Sequence, residues 1–523
     1  MVRMTRATLC LGLVLPIACG GSSGASISGD GGSSSDATAP MDGSLPVDGA
    51  GPSLDGGPPT QDAVPDTQDA LVDSGPVVAV PVTVDPTQPV GAVGPAFVGL
   101  SYEKSHLEDG FFRGDNAPLV AIFQLLGPSI LRVGGNSVDE SVWQTFDAGT
   151  PAPDAAAPTV ITTADVDGLA AFVKAAGWKV IYGVNLKTSS PEAAGAEAAY
   201  AAAQLGDSLY GFEIGNEPDL YKSVVSSPGT WTYAAFEADW QKFAAAIHAD
   251  AGAPAAPLTG PASASDYKTW TEPFAADEAR AITLLTQHYY VANGQSDAST
   301  IGLLLSPDPS LETELAGLST AASEAGIANG YRLAECNSFY NGGAPGVSDG
   351  YGTALWAIDF LFTNARHGST GTNFHGGGDG PGYTPIADDG ANVVGARPEL
   401  YGMLLFAKAG EGTLYATTGS TSSPNFSAYA IGSAGATTSV VLSNKDAVTT
   451  VHATVNVGGS ITTALAMRLT GPSLSATTGV ALGGASIQAD GGFAPDAPES
   501  LATSGSTFTI DLPPASAALV SVH

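Results

Sequence analysis

Residues 209–219 read LYGFEIGNEPD, a short apolar run that leads into Asn216, Glu217 and Pro218. A run of this length, built from aromatic, β-branched and small residues, reads as a β-strand. It carries two glutamates on one face. Glu213 and Glu217 are four positions apart, so the pleat points both the same way, but at about 3.3 Å per residue they stand roughly 13 Å apart. They cannot serve the same reacting atom. The strand therefore offers one carboxylate at its end and one in a deeper layer, where Arg132 is the first candidate partner for Glu213.

Seven similar runs lie on either side: AFVGLSYE (96–103), SILRVGGN (129–136), WKVIYGVN (178–185), PLTGPASA (257–264), ITLLTQHY (282–289), YRLAECN (331–337) and GTNFHGG (371–377). Amphipathic, alanine-rich segments such as 232–250 and 349–368 separate them. Eight strand-and-helix units predict an α/β fold, a (β/α)8 TIM barrel, over 96–410. From 411 to 523 the chain turns to Thr, Ser, Val, Ala and Gly, with period-two runs between Gly and Pro turns, which predicts an antiparallel β-sandwich domain. The run VVAVPVTVD (77–85) has the same strand character, so 76–95 is expected to join that C-terminal domain.

The first 19 residues hold two arginines, a short apolar stretch and a small residue before Cys19. This is the layout of an export signal. The ending LPIAC resembles the lipobox of bacterial lipoproteins, with Cys19 the lipidated residue; plain secretion is the other reading. Residues 20–75 are Gly, Ser, Asp, Pro and Ala, too poor in large apolar groups to offset their ordering entropy, and read as a linker. The chain has 18 Lys and Arg against 51 Asp and Glu, a net charge of -33. It therefore has little with which to neutralise phosphates, so no nucleic-acid partner is expected, and heavily sulfated glycans are disfavoured on the same ground. With three cysteines, two of them in the leader, no disulfide is expected. The seven scattered histidines form no metal motif, and GGG at 376–378 lacks the spacing of a nucleotide site, so neither metal nor cofactor is expected.

Chemistry in such a barrel gathers where the strands end. Those ends carry Tyr102 and Glu103, Asn136, Asn216 and Glu217, His288, Tyr289 and Tyr290, and Glu335 and Asn337. Glu217 and Glu335, at the ends of strands four and seven, suit a retaining glycosidase, whose two carboxyls stand about 5–5.5 Å apart. Asn216 is placed to hydrogen-bond a sugar 2-hydroxyl. Arg132 shares a face with Gly134 and Asn136 and either keeps Glu335 ionised or neutralises a buried acid.

The segments GLSYEK, LRVGGNS, FEIGNEPD, QHYY and AECNSFYNGGAPGVSD resemble glycoside hydrolase family 79, the family of microbial β-glucuronidases and the heparanases. The resemblance runs from about residue 95 to the end. It implies Glu217 as acid/base and Glu335 as nucleophile. Carried over one at a time, it implies that Glu103 holds sugar hydroxyls and that Asn136 is the polar residue after the paired glycines. Tyr340, Asn341 and Gly342 would contact the sugar, with Tyr340 near its carboxylate, Tyr383 would also hold that carboxylate, and Tyr290 would donate to the nucleophile, with Tyr289 in that role if the register shifts by one.

Blander readings stand beside these. Glu217 can be a helix-start acid favoured by the dipole, Glu103 a solvated loop residue, and the tyrosines rim packing. Cys336 beside Glu335 faces away from it and reads as a small packing residue. The expected activity is β-glucuronidase action on a carbohydrate bearing glucuronic acid. The alternatives are a related retaining enzyme, xylosidase-like or heparanase-like, and an inactive surface glycan-binding protein.

Overall fold

The computed structural model describes residues 75–144, 159–222, 230–249, 253 and 255–523. The export segment at 1–19, Cys19 and the linker up to residue 74 lie outside the described residues. Eight parallel strands close a barrel in sequence order: Val98–Glu103, Ile130–Gly134, Lys179–Val184, Leu209–Ile214, Leu258–Ser263, Ile282–Asn293, Tyr331–Tyr340 and Thr372–Gly376. All eight fall on the expected runs. Strands six and seven continue past their expected ends, to Asn293 and Tyr340, because the two pair with each other that far.

Helices follow the strands with ordinary end chemistry. Thr162 opens Thr163–Ala176 with a capping box to Asp165, and Gly177 closes it at φ 76°, a left-handed turn that glycine makes without strain. Ser190 caps Pro191–Leu205, and Asp308 caps Pro309–Ala325. No described helix is long and apolar enough to cross a membrane. At the closed end of the barrel Arg332 is fully buried, donating to the carbonyls of Ala96, Phe97, Thr370 and Thr372. It replaces the usual apolar plug and needs the space of Gly371, where a Cβ would stand 2.1 Å from its Nη1.

The C-terminal domain is antiparallel β, as expected, and takes its sandwich-like core from a single curled sheet. It is one sheet of twelve strands, curled so that the inward side chains of strands far apart in the strand order share one core. Val77–Val93 lies inside that sheet, antiparallel to Gly412–Thr418 and parallel to Thr450–Asn456. Val80, Val82 and Val84 alternate inward and meet the same core as Val451, Val455, Phe508 and Val520. A period-two pattern fixes which face is buried but not which neighbour a strand takes, so the curl and the parallel pair were not readable. The sheet grips the barrel through Phe362 stacked on Tyr429, centroids 4.2 Å apart, and through the Asp359–Lys445 ion pair.

Candidate active site

The site is built on two glycines and an arginine. In LRVGGN, a Cβ on Gly134 would lie 2.4 Å from Arg132 Cζ, and one on Gly135 would lie 2.4 Å from Glu103 Cδ. Only glycines leave room for a guanidinium and a carboxylate against this turn. Arg132 is completely buried, and its fork reaches four acceptors: Glu213 Oε2 at 2.5 Å, Glu335 Oε2 at 2.7 Å, Asn216 Oδ1 at 2.9 Å and Ser101 Oγ at 3.3 Å. Both readings of Arg132 therefore hold at once. Glu213 is the deep structural acid and Glu335 the shallow one.

Glu335 sits on strand seven with its side chain 8% exposed. Tyr290 donates to its Oε1 at 2.8 Å, and His288 and His375 stand 3.9 and 3.6 Å away. Burial alone would push this carboxyl up, but His375, His288 and Arg132, with the Tyr290 hydroxyl, outweigh it and hold the group well below the usual carboxylate range. Tyr290 rather than Tyr289 takes the role, since Tyr289 donates to Asp308 instead.

Glu217 follows strand four at φ 50°, a left-handed conformation that a non-glycine residue adopts only when its surroundings hold it. Its N–H donates to Ala262 O, and Asp219, two residues on, accepts from Ala264 and Ser265 N–H, which fastens the turn to the end of strand five. His288 Nδ1 lies 3.1 Å from Glu217 Oε1. Asn216 has its amide oriented by Arg132, and its Nδ2 donates to Asn136 Oδ1 at 3.3 Å. Behind it Tyr221 accepts from Asn216 N–H and donates to Asp139 at 2.5 Å. Burial pushes the Asp139 carboxyl up to about 7.

Glu217, His288 and Glu335 each place one donor atom within 4.8 Å of the other two. The trio is not a metal-ligand set. Arg132 already binds one oxygen of Glu335 and Tyr290 the other, and a cation there would face a buried guanidinium. The same distance is what matters for carboxylate chemistry: a gap of this size is too short for the intervening water of an inverting pair, which needs about 6.5 Å or more.

Of the other expected residues, Glu103 accepts from Asn136 N–H at 3.1 Å and from Ser137 N–H and Oγ at 2.7 Å. Burial pushes this carboxyl up, but the neighbouring His375 and the hydrogen bonds from Ser137 bring it below its ordinary value. Tyr383 lies against Tyr290 and His375, with ring centroids 5.8 and 6.0 Å away, and its N–H donates to Gly342 O. Tyr340 is 44% exposed and packs edge-on to Tyr290; Asn341 turns at φ 62° and is held by Asn293. Glu103, Gly342 and Tyr383 line a cavity of about 300 Å³ together with His106 and His375. The expected catalytic and sugar-binding residues stand at the mouth; Cys19 lies outside the described residues. Cys336 is buried with its Sγ against Asn373 O. Sequence reading missed His375 and Asp139. His375 had a signal, the last bulky residue of a barrel strand, whereas Asp139 had none.

Arg132→Met is expected to cost about 3–5 kcal/mol, because it leaves two buried carboxylates without their cation. The urea midpoint of unfolding measures it. A loss under about 1 kcal/mol would show that protons or other donors replace the guanidinium.

No family model matches the chain. A β-glucuronidase of Aspergillus niger is 29% identical over 314 residues, 53% of this chain and 56% of that protein. One of Neurospora crassa is 25% identical over 373 residues, 63% of this chain and 66% of that protein. The chain thus spans between half and two thirds of the curated relatives it matches. The crystal structure of a 4-O-α-L-rhamnosyl-β-D-glucuronidase from Fusarium oxysporum superposes with a TM-score of 0.70 at 20% identity, over 85% of this chain and all of that one. The likeness settles the architecture: the chain has the fold of that enzyme, a (β/α)8 barrel joined to a curled β-sheet domain.

Proposed function

We propose that the protein is a retaining β-glucuronidase that removes glucuronic acid from a glycan or glycoconjugate. The observation that carries the reading is the carboxylate pair, Glu217 and Glu335, with oxygens within 4.8 Å at the ends of strands four and seven. Glu335 attacks the anomeric carbon as Glu217 protonates the leaving oxygen. The C1–O bond breaks and a covalent ester to Glu335 forms. Water, deprotonated by Glu217, then attacks C1 and releases the sugar with its configuration retained. The different surroundings of the two acids suit the two roles, since Arg132, Tyr290 and two histidines favour the anion on Glu335. Asn216 would hold the 2-hydroxyl, and Glu103 and Asn136 the other hydroxyls. Tyr340, Asn341, Gly342 and Tyr383 would hold the carboxylate, which several neutral donors can bind without a full counter-charge. The glucuronate assignment is supported by the fungal relatives. The same proposal takes the leader as an export signal, with Cys19 as its lipid anchor, and puts the enzyme at the cell envelope or outside the cell.

A panel of nitrophenyl β-glycosides tests this. The glucuronide is expected to turn over, with the glucoside, xyloside and galactoside far slower; no turnover of the glucuronide sinks the proposal. Tyr340→Phe and Tyr383→Phe are expected to lower kcat/KM for the glucuronide about 10- to 100-fold, the value of a hydrogen bond to a charged group. Neutral sugars should lose much less. Equal losses on the xyloside would favour a xylosidase-like enzyme.

A further inference from the structure

Near the end of strand eight, Thr372–Gly376, stands a histidine that the reaction above uses only as one of the charges beside Glu335. His375 is buried between acids from two other strands, Nδ1 3.6 Å from Glu335 Oε2 and Nε2 3.7 Å from Glu103 Oε1. Ser101 Oγ also lies 3.1 Å from Nδ1. A neutral imidazole has one N–H and can donate to only one of these carboxylates; an imidazolium donates toward both. The charges around the ring favour the second form. Facing it are Glu335 from strand seven, Glu103 from strand one, Arg132 from strand two and Tyr383 from the following loop. Behind it, Asn337 donates to His375 O and to Glu399, a buried acid pushed up to about 8 by burial. Arg132 is already shared between Glu335 and Glu213, so Glu103, Glu213 and Glu335 have one guanidinium among them. Burial pushes the His375 ring down, but Glu335 and Glu103 outweigh it and raise it above its usual value.

We propose that His375 is a positioning residue that, as an imidazolium, ties the nucleophilic carboxylate of Glu335 to the hydroxyl-binding carboxylate of Glu103. The proposal rests on the glycosidase reading of the site and deepens it. The ring faces Glu335 from a third strand, beside Arg132 on strand two and Tyr290 on strand six, and supplies a second cation. It also offsets the repulsion between two acids that must both stay ionised around one sugar. As pH rises through the folded pKa of the ring, the tie is lost and the two carboxylates repel. Turnover then declines on the alkaline side.

Glu217 serves the leaving group in the proposed reaction, so the test uses 2,4-dinitrophenyl β-glucuronide, whose leaving group needs no proton and which keeps that step out of the readout. With it the wild-type enzyme is expected to keep an alkaline decline in kcat/KM above the ordinary histidine range. His375→Gln is expected to lose at least about 10-fold below that decline and to flatten the profile between about pH 6 and 9. The second readout is thermal unfolding. A raised pKa stabilises fully below the unfolded value and loses its effect as pH rises through the folded one, so the melting gap between wild type and His375→Gln should close with rising pH. Parallel pH profiles and a constant melting gap would overturn the proposal and leave His375 a packing residue. If wild type turns over no glucuronide at all, the glucuronidase reading fails, and the melting gap still decides the charge on His375.

Discussion

Glu335→Gln is expected to lower kcat for an aryl β-glucuronide by about 10⁴-fold or more, the scale on which an enzyme loses its covalent nucleophile, while the protein stays folded. The amide is nearly isosteric with the carboxylate but carries no anion to attack C1, so the ester cannot form. Its two ends also need different partners. The amide oxygen must turn to Arg132 Nη1, and its NH₂ then faces the Tyr290 hydroxyl, which now has to accept. Folding should tolerate the change because Arg132 keeps Glu213 at 2.5 Å. The pH dependence has a definite sign. Glu335 is held below its usual range, so its ion pair stabilises fully above the unfolded value of about 4.5 and is lost only as pH falls through the lower folded value. The melting gap between wild type and variant should therefore shrink in solution more acid than about pH 5, and narrow again on the alkaline side as His375, which Glu335 helps to raise, loses its proton. Wild type incubated with a 2-fluoro glucuronosyl fluoride should gain the mass of one sugar on the peptide holding Glu335. Unchanged turnover in the variant would remove the nucleophile assignment.

The barrel was legible because its strands are buried on both faces and read as near-continuous apolar runs, each closed by a polar residue where the fold needs one. The same property revealed Glu335, a charge after Ala334 in a strand with no local reason to hold one. What stayed hidden depends on pairing across the sequence. Arg132 could be placed on the right face, but not shown to serve Glu213, Asn216 and Glu335 together, because the reach of a guanidinium is set by the width of the barrel. His375 belongs to a strand whose register against Tyr102 and Ser101 appears only when the barrel closes. Asp139 draws its meaning from Tyr221, 82 positions away. The resemblance to family 79 supplied Tyr290, Tyr340 and Tyr383, which composition alone would have left as packing.

Glu217→Ala is expected to separate the two halves of the reaction. Alanine at φ 50° is no more strained there than glutamate, and Asp219 still fastens the turn, so the site should survive. For a glucuronide with a poor leaving group, losing the proton donor should cost about 10²–10⁴-fold. A dinitrophenolate leaves without a proton, so the covalent ester should still form and then accumulate, because no base remains to activate water. Azide carries no proton that must be removed. Added to the variant, it should attack C1 of the accumulated ester, break the bond to Glu335 and restore turnover, giving glucuronosyl azide in place of the free sugar. Two inversions make this azide β, a configuration that NMR reads directly. An α-azide would mean a single displacement and would sink the covalent mechanism. Absence of rescue together with an undiminished rate on poor leaving groups would take the acid/base role away from Glu217. One oxygen of each acid lies within 4.8 Å of the other, which leaves no room for the intervening water of an inverting pair, so the β product is the expected one.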